Sequence, residues 1–271
     1  MSTHGKLNKV TSATVRDMKR RGEKISMLTA YDYPTALCID EAGIDMILVG
    51  DSLGMVVLGY DSTLPVTMEV MLHHTRAVSS AVQRAMVIAD LPFMSYQCSP
   101  DDAVRNAGRM LQESGAQGVK LEGGRDFAEA TRRMVAAGIP VMAHLGLTPQ
   151  SVHQLGGYRV QGKDDVGARR ILEDARILEE AGAFSLVLEC VPASLAADIT
   201  AALAIPTIGI GAGPRCDGQV LVLHDVMGMF ERFTPKFVKK YAQVNALMKE
   251  AAQAYITDVR EGGFPGPEHS F

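Results

Sequence analysis

The stretch from Ala85 to Glu122 reads AMVIADLPFMSYQCSPDDAVRNAGRMLQESGAQGVKLE, and it contains two short apolar runs with a longer amphipathic segment between them. The runs, Ala85–Ala89 and Gly118–Leu121, are typical of strands that are buried on both faces of a parallel sheet. Between them, Ser99 precedes Pro100, which is the usual order of a capping residue and the first residue of a helix. The stretch therefore predicts a strand, a helix and a second, parallel strand.

The same alternation recurs along the chain. Six further apolar runs complete the set: Ile25–Ala30, Asp45–Gly50, Pro140–Ala143, Phe184–Leu188, Pro206–Ile210 and Val220–Leu223. Helices are predicted over Asp126–Ala137 and Asp165–Ala181, each followed by a glycine that can end a helix in the left-handed conformation. Eight strands alternating with helices predict a (β/α)8 TIM barrel of the α/β class. Because Gly211–Gln219 is too short and too rich in glycine for a full helix, an open doubly wound sheet remains an alternative.

Both ends of the chain carry helical patterns outside the barrel repeat. Lys6–Gly22 predicts an extra N-terminal helix that closes the bottom of the barrel, within residues 1–24. An apolar stripe predicts a long C-terminal helix; it comprises Phe237, Tyr241, Val244, Met248, Ala252, Tyr255 and Val259. The tail from Gly262 to Phe271 is expected to be loosely ordered. No linker divides the chain, so residues 1–271 predict a single barrel domain.

Composition argues against several classes of partner. Lys and Arg number 27 against 31 Asp and Glu, and the resulting net charge of −4 favours neither nucleic acid nor anionic lipid as a partner. The longest apolar stretches fall short of the roughly 18 residues of a membrane span, and the first ten residues lack the apolar core of a signal peptide. The four cysteines have no zinc-site spacing and are expected to be reduced thiols, Cys190 included. We therefore expect a cytoplasmic protein.

The ends of the predicted strands are unusually polar. In a barrel the carboxyl ends of the strands form the active site, and here they carry Tyr31-Asp32, Gly50-Asp51-Ser52, Asp90, Lys120 with Glu122, His144 and Glu189. Asp51, Asp90 and Glu122 would repel one another in one small volume unless a cation lay between them. Oxygen ligands without cysteine or clustered histidine favour Mg²⁺ over zinc. The alternative is that each acid merely caps the helix that follows it.

Glu189 is separate from these three acids and ends the strongly apolar run SLVLE. Such surroundings disfavour the charged form of a carboxylate, which makes it a better base towards a substrate proton. The alternative is a carboxylate that is paired with an arginine on a neighbouring loop. The sequence favours the base over this pair.

The motifs at the strand ends, taken in order and spacing, resemble those of the ketopantoate hydroxymethyltransferase family, and the resemblance covers nearly the whole chain. They are Met27–Tyr33, Val49–Gly54, Ala89–Phe93, Val119–Gly123, Ala143–Gln150, Leu188–Pro192, Gly209–Gly213 and Asp217–Gln219. The resemblance implies an Mg²⁺-dependent barrel enzyme of pantothenate biosynthesis. It would transfer a hydroxymethyl group from 5,10-methylenetetrahydrofolate to 3-methyl-2-oxobutanoate, giving 2-dehydropantoate, and would assemble as a large homo-oligomer such as a decamer.

The resemblance also implies roles for individual residues. Asp51, Asp90 and Glu122 match the acids that hold the metal, directly or through water. The residues that match the contacts to the 2-oxo acid are Asp51, Ser52, Asp90 and Lys120, with His144 close to the bound substrate. Glu189 matches the catalytic proton acceptor. With no tryptophan in the chain, stacking on the pterin would have to come from tyrosine, phenylalanine or apolar side chains.

Two rival functions stay open at this point. A Mg²⁺-dependent barrel lyase or mutase that acts on another 2-oxo acid would use the same metal chemistry without folate. A non-catalytic barrel that binds a small anion would need no base at all. The first rival predicts proton exchange without any folate-dependent transfer, and the second predicts that loss of Glu189 has no chemical consequence.

Overall fold

A computed structural model describes residues 8–230 and 234–271, and its central feature is a closed barrel of eight parallel strands in sequential order. The strands are β1 Ile25–Thr29, β2 Met46–Val49, β3 Met86–Asp90, β4 Gly118–Glu122, β5 Val141–Gly146, β6 Ser185–Glu189, β7 Thr207–Ile210 and β8 Gly218–Leu221. β1 pairs with β8 as well as with β2, and this pairing closes the barrel. The predicted TIM barrel is confirmed, and the open sheet is excluded.

Helices follow most of the strands. The α-helices of the described residues are α1 Ser12–Arg21, α2 Tyr33–Glu41, α3 Leu53–Val56, α4 Met68–Ala81, α5 Pro100–Ser114, α6 Ala128–Ala136, α7 Val152–Leu155, α8 Asp165–Glu180, α9 Ala193–Ala202, α10 Leu223–Val226 and α11 Val244–Glu261. Short 3₁₀ helices cover Arg125–Phe127, Pro149–Ser151 and Pro267–His269. No helix in the described ranges combines the length and the apolar character that a bilayer crossing requires.

The predicted boundaries of the helices agree closely with the structure where local signals are strong. The Ser99 side chain accepts a hydrogen bond from the Asp102 backbone N–H and caps α5, with Pro100 as its first residue. Gly138 and Gly182, placed at predicted helix ends, have φ of 85° and 99°. α1 begins only at Ser12 because Thr11 caps it, and the predicted start at Lys6 lies outside the described residues.

Two strand predictions need adjustment. β5 runs to Gly146, three residues beyond the predicted run, because its backbone pairs with β6 as far as Gly146 opposite Glu189. β8 begins at Gly218, where the predicted run began at Val220, since Gly218 already pairs with Ile25 of β1. As expected, no helix separates β7 from β8.

The core has two layers. One buried cluster joins outward-facing strand residues such as Leu186 and Leu188 to Leu178 of α8 and Ile199 of α9. The other consists of residues inside the barrel and includes Val15 and Met18 of α1; its strand members include Met27, Met46, Met86, Met142 and Val220. Burial of such side chains stabilises the fold by about 1.5–3 kcal/mol each. The helix α1 therefore shares one core with the barrel interior.

The chain divides into two compact units, Met1–Val222 and Leu223–Phe271. In the second unit the predicted long C-terminal helix is present as α11, but none of its residues is buried. Its predicted start at Phe237 is wrong: Phe237 and Tyr241 precede the helix, and the Tyr241 N–H bonds to the carbonyl of Val226, at the end of α10, instead of to a helical partner. The assignment of all 271 residues to a single domain stays a prediction.

Candidate active site

The predicted polar residues of β2 to β5 are buried together at the carboxyl ends of these strands. Asp51, which follows β2, and Asp90, Lys120, Glu122 and His144 are each at most 4% exposed. Register brings them side by side: Asp90 pairs with Lys120, and Glu122 pairs with His144. The alternative that the acids are helix caps is therefore wrong for Asp90 and Glu122, which lie within strands. Asp32 is such a cap, since it accepts from the Thr35 N–H of α2.

Lys120 is the cation of this cluster. Its Nζ lies 2.6 Å from Asp90 Oδ1, 3.9 Å from Glu122 Oε1 and 3.2 Å from His144 Nδ1. Burial alone lowers the pKa of Lys120, but the carboxylates of Asp90, Glu122 and Asp51 outweigh it and raise the pKa above its ordinary value. Lys120 is therefore an ammonium ion at neutral pH.

Asp51 lies next to Asp90 on the neighbouring strand. The Asp51 backbone N–H donates to Asp90 Oδ2 over 3.1 Å, and Asp51 Oδ2 accepts from the Gln150 amide at 2.9 Å. Burial, followed by the charge of Asp90, raises the pKa of Asp51 to about 7, although Lys120 and Gln150 oppose the shift. The cluster thus holds three carboxyl groups, those of Asp51, Asp90 and Glu122, against the single ammonium group of Lys120.

Glu122 is held by groups from two loops. Its Oε2 accepts from the Gln150 backbone N–H at 3.0 Å, and its own backbone N–H donates to the Tyr96 hydroxyl at 3.1 Å. Burial raises the pKa of Glu122 well above the ordinary value, and the charge of Lys120 acts in the opposite direction. The Glu122 carboxyl group is therefore fixed in place, and a further cation beside it would lower its pKa as Lys120 does.

His144 connects this cluster to Glu189. Because the Lys120 ammonium has only protons to donate, His144 Nδ1 must accept, which places the ring proton on Nε2. Burial, followed by the charge of Lys120, lowers the pKa of His144, so the ring is neutral at pH 7. Nε2 lies 3.3 Å from Glu189 Oε2, yet among the described residues it makes no aligned hydrogen bond. This buried N–H therefore faces the Glu189 carboxylate.

Glu189 ends β6 and is the least enclosed of the predicted site residues that carry a charge. The apolar run before Glu189 predicts a buried side chain, but the side chain is 17% exposed. The reason is that Glu189 is the last residue of the strand and lies towards the mouth, the open carboxyl end of the barrel. The chain then turns at Cys190, whose φ is 48°. Gly146 of β5 has φ 95°, and a Cβ there would lie 2.1 Å from the Glu189 carbonyl, so this close approach requires glycine.

Ser52 and Cys190 take different positions relative to this cluster. The Ser52 hydroxyl is 2.9 Å from the Tyr31 hydroxyl, and a Cβ on Gly50 would lie 2.9 Å from Ser52 Oγ and 3.3 Å from Asp90 Oδ2. Glycine at position 50 therefore keeps the space between Ser52 and Asp90 open. Burial and the charge of Glu189 raise the pKa of Cys190 to about 11, so its thiol is protonated at neutral pH and is a poor nucleophile.

The donor set fits a hard divalent cation. Asp51 and Asp90 offer carboxylate oxygens, and Mg²⁺ is usually held by one or two carboxylates while water and substrate oxygens complete its shell. In the ranges 8–230 and 234–271, no three His, Cys, Asp or Glu side chains form a ready-made ligand cage. Carboxylate oxygens suit Mg²⁺ better than zinc, which is bound mainly by cysteine and histidine. The ligand roles of Asp51, Asp90 and Glu122 stay predictions.

Three residues near the acids were not predicted to take part. Gln150 and Tyr96 hydrogen-bond to the acids or their backbone. Tyr158 is half-exposed, its hydroxyl lies 3.8 Å from Met55 Sδ, and burial together with the charges of Asp51, Glu189 and Glu122 raises its pKa. Gln150 is the last residue of the motif Ala143–Gln150, and its place in a family motif was the one sequence signal that could have marked it. Nothing in the sequence marked Tyr96 or Tyr158, since both lie in loops.

Fold and site define a barrel with a buried acidic cluster at its carboxyl end. Solved structures share this fold at low identity. A crystal structure of phosphonopyruvate hydrolase with oxalate and Mg²⁺ superposes with a TM-score of 0.62 at 13% identity, covering 96% of this chain and 93% of the other. Oxaloacetate acetylhydrolase with 3,3-difluorooxalacetate gives 0.61 at 16% identity, covering 97% and 91%. At these identities the likeness shows the fold alone.

Sequence comparison is more specific. The family model for ketopantoate hydroxymethyltransferase matches residues 9–267. The 3-methyl-2-oxobutanoate hydroxymethyltransferase of Syntrophus aciditrophicus (strain SB) is 66% identical over all of both chains. That of Carboxydothermus hydrogenoformans is 61% identical, covering 98% of this chain and 96% of its own. The chain belongs to the ketopantoate hydroxymethyltransferase family, and the resemblance seen in the sequence is confirmed.

Proposed function

We propose that the chain transfers a hydroxymethyl group from 5,10-methylenetetrahydrofolate to 3-methyl-2-oxobutanoate, giving 2-dehydropantoate in the first step of pantothenate biosynthesis. The supporting observation is that Asp51, Asp90 and Lys120 lie buried together, with Glu189 at the open side of the cluster. A 2-oxo acid needs a cation site for its two oxygens and a base for its C3 proton. The relatives at 61–66% identity carry the name of this activity.

Asp51 and Asp90 would hold Mg²⁺, with Glu122 contributing directly or through water. When bound there, Mg²⁺ stabilises the negative charge that develops on the keto oxygen of the substrate. Lys120 and the Ser52 hydroxyl would neutralise and orient the substrate carboxylate. The His144 Nε2–H, which lies 3.3 Å from Glu189 Oε2, would donate to a substrate oxygen beside that carboxylate.

Glu189 would take the proton from C3 of the 2-oxo acid, which leaves an enolate. The enolate carbon then attacks the methylene carbon of the folate, so that a C–C bond forms. Two C–N bonds hold this carbon in the folate: one gives way to the new C–C bond and the other to a C–O bond from water, while the C3 proton and one proton of the water go to the two folate nitrogens. Overall, water supplies the hydroxyl group of the product. Because the folate carries the reactive carbon, the protein supplies position, charge and one base.

The first test is proton exchange by the purified chain in deuterium oxide. With Mg²⁺ and 3-methyl-2-oxobutanoate, we expect the C3 proton to be replaced by deuterium, as followed by NMR. Removal of the metal with EDTA should slow exchange by more than about 100-fold, because enolate charge then lacks several kcal/mol of stabilisation. Absence of exchange in the chain with metal bound would contradict the proposal.

The rival functions give different results in the same assay. A lyase or mutase of the barrel type would exchange or cleave another 2-oxo acid and form no 2-dehydropantoate when methylenetetrahydrofolate is added. A non-catalytic anion-binding barrel would exchange nothing. Formation of 2-dehydropantoate that requires the folate therefore separates all three.

Tyr158 is our candidate for contact with the pterin ring of the folate. It is 52% exposed and its hydroxyl approaches Met55 Sδ at 3.8 Å, so an aromatic face is accessible beside α3, the short helix that follows Asp51. We expect Tyr158→Ala to raise the KM for methylenetetrahydrofolate roughly tenfold, since stacking on an aromatic side chain contributes about 1–3 kcal/mol. The KM for the 2-oxo acid should stay within twofold. Tyr241→Ala, in the second unit, is the control, and an equal rise there would contradict this role.

A homo-oligomer, such as the decamer that the family resemblance implies, is also part of the proposal. The exposed apolar side chains of α11, among them Leu247, Tyr255 and Val259, support it because exposed apolar patches are typical of surfaces that another subunit covers. The cytoplasmic location stays a prediction.

A further inference from the structure

Gln150 is a buried residue that contacts two of the candidate ligands at once. Its Nε2 donates to Asp51 Oδ2 at 2.9 Å, and its backbone N–H donates to Glu122 Oε2 at 3.0 Å. Asp51 follows β2 and Glu122 ends β4, so one residue from the turn after β5 joins two strands that are not neighbours. Gln150 is 4% exposed, which keeps both hydrogen bonds out of water.

The orientation of the Gln150 amide is fixed on both sides. Nε2 also donates to the Leu91 carbonyl at 3.0 Å, and a carbonyl can only accept. On the other side, Oε1 accepts from the Tyr96 hydroxyl at 2.8 Å and from Gln97 Nε2 at 3.1 Å. A reversed amide would place its oxygen against the Leu91 carbonyl and the Asp51 carboxylate. The donor to Asp51 is therefore built in and does not depend on bound ligand.

We propose that Gln150 is a positioning residue that holds Asp51 Oδ2 in a hydrogen bond, so that the other carboxylate oxygen of Asp51 faces the cation. This inference rests on the proposed function, because it takes Asp51 as a ligand of the cation. A hydrogen-bond donor behind a ligand fixes its orientation, and loss of such a partner typically costs 10–100-fold in metal affinity or activity. The same residue holds Glu122 through its backbone, which a side-chain substitution leaves intact.

Tyr96 supports Gln150 from behind. It is 2% exposed, its ring packs edge-on against Phe127 with centroids 5.1 Å apart, and its hydroxyl lies between Gln150 Oε1 and the backbone of Glu122. Without that hydroxyl, the Gln97 amide would be the remaining donor to Oε1 among the described residues. We therefore expect Tyr96→Phe to act in the same direction as a Gln150 substitution and to a smaller extent.

The test uses calorimetric titration of Mg²⁺ into the full chain saturated with 3-methyl-2-oxobutanoate. Gln150→Met keeps the length of the side chain and removes the donor, and we expect it to weaken Mg²⁺ binding by about 10–100-fold. The control is Gln117→Met, because Gln117 Oε1 accepts from the Val87 backbone N–H at 3.0 Å and no described contact joins it to the acids. This control should bind Mg²⁺ within twofold of the unmodified chain.

The outcomes separate the two proposals. If the unmodified chain binds neither Mg²⁺ nor the 2-oxo acid, both proposals fall. If it binds both and Gln150→Met binds Mg²⁺ within twofold of it, or if Gln117→Met weakens binding equally, only the role of Gln150 falls. Should circular dichroism show that Gln150→Met does not fold, Tyr96→Phe decides: a threefold or greater loss of Mg²⁺ affinity supports the proposal, and a smaller loss overturns it.

Discussion

Glu189→Gln is expected to slow C3 proton exchange of 3-methyl-2-oxobutanoate by about 10²–10⁴-fold, the usual contribution of a general base. Glutamine has the same shape and still accepts a hydrogen bond, but its amide oxygen is far too weak a base to hold the proton. Exchange measured by NMR in deuterium oxide isolates this step, because it needs neither folate nor product release.

Binding of the 2-oxo acid should survive this substitution within about threefold, since Lys120, Asp51 and Asp90 are unchanged. The matched control is Glu179→Gln, which also removes one negative charge; Glu179 accepts from the Ala204 and Ile205 N–H groups, outside the acidic cluster. The control should exchange at the normal rate. Exchange by Glu189→Gln at that same rate would assign the base to another residue.

The sequence predicted the strands and the acids for a common physical reason. Strands buried on both faces need continuous apolar runs, so a charged residue at the end of a run, such as Asp90 or Glu189, marks where the chain reaches the mouth. The same reasoning places Lys120 and Glu122 together, because residues two apart on a strand point to the same face of the sheet. It extends to His144, although β5 continues two residues further to Gly146.

Features that depend on tertiary contacts could not be predicted in this way. The role of Gln150 arises because the turn after β5 passes beside two other strand ends, and no periodicity encodes that passage. The left-handed backbone conformation of Cys190 could not be predicted either, since non-glycine residues rarely adopt positive φ. The start of α11 was placed too early because apolar spacing continues through Phe237 and Tyr241, where the backbone N–H of Tyr241 bonds to Val226 instead.

Lys120→Met is expected to destabilise the fold by about 3–5 kcal/mol at pH 8, the usual cost of removing one partner of a buried ion pair. Lys120 lowers the pKa of both Asp51 and Glu122, so without it these buried carboxyls are harder still to ionise. An acid whose pKa is higher in the folded than in the unfolded chain destabilises the fold as pH rises above the unfolded value. The loss should therefore be smaller at pH 5 than at pH 8.

Thermal unfolding of the variant at both pH values, with and without Mg²⁺, measures this effect. Mg²⁺ should recover part of the loss at pH 8, because a cation bound by Asp51 and Asp90 replaces some of the missing positive charge. The control is Lys19→Met, which breaks the Lys19–Asp217 ion pair of 2.9 Å at the opposite end of the barrel. We expect a smaller loss there, with no response to Mg²⁺, since both side chains are 15–17% exposed. Equal stability of the two variants at pH 8 would mean that Lys120 does not neutralise the acids as the geometry indicates.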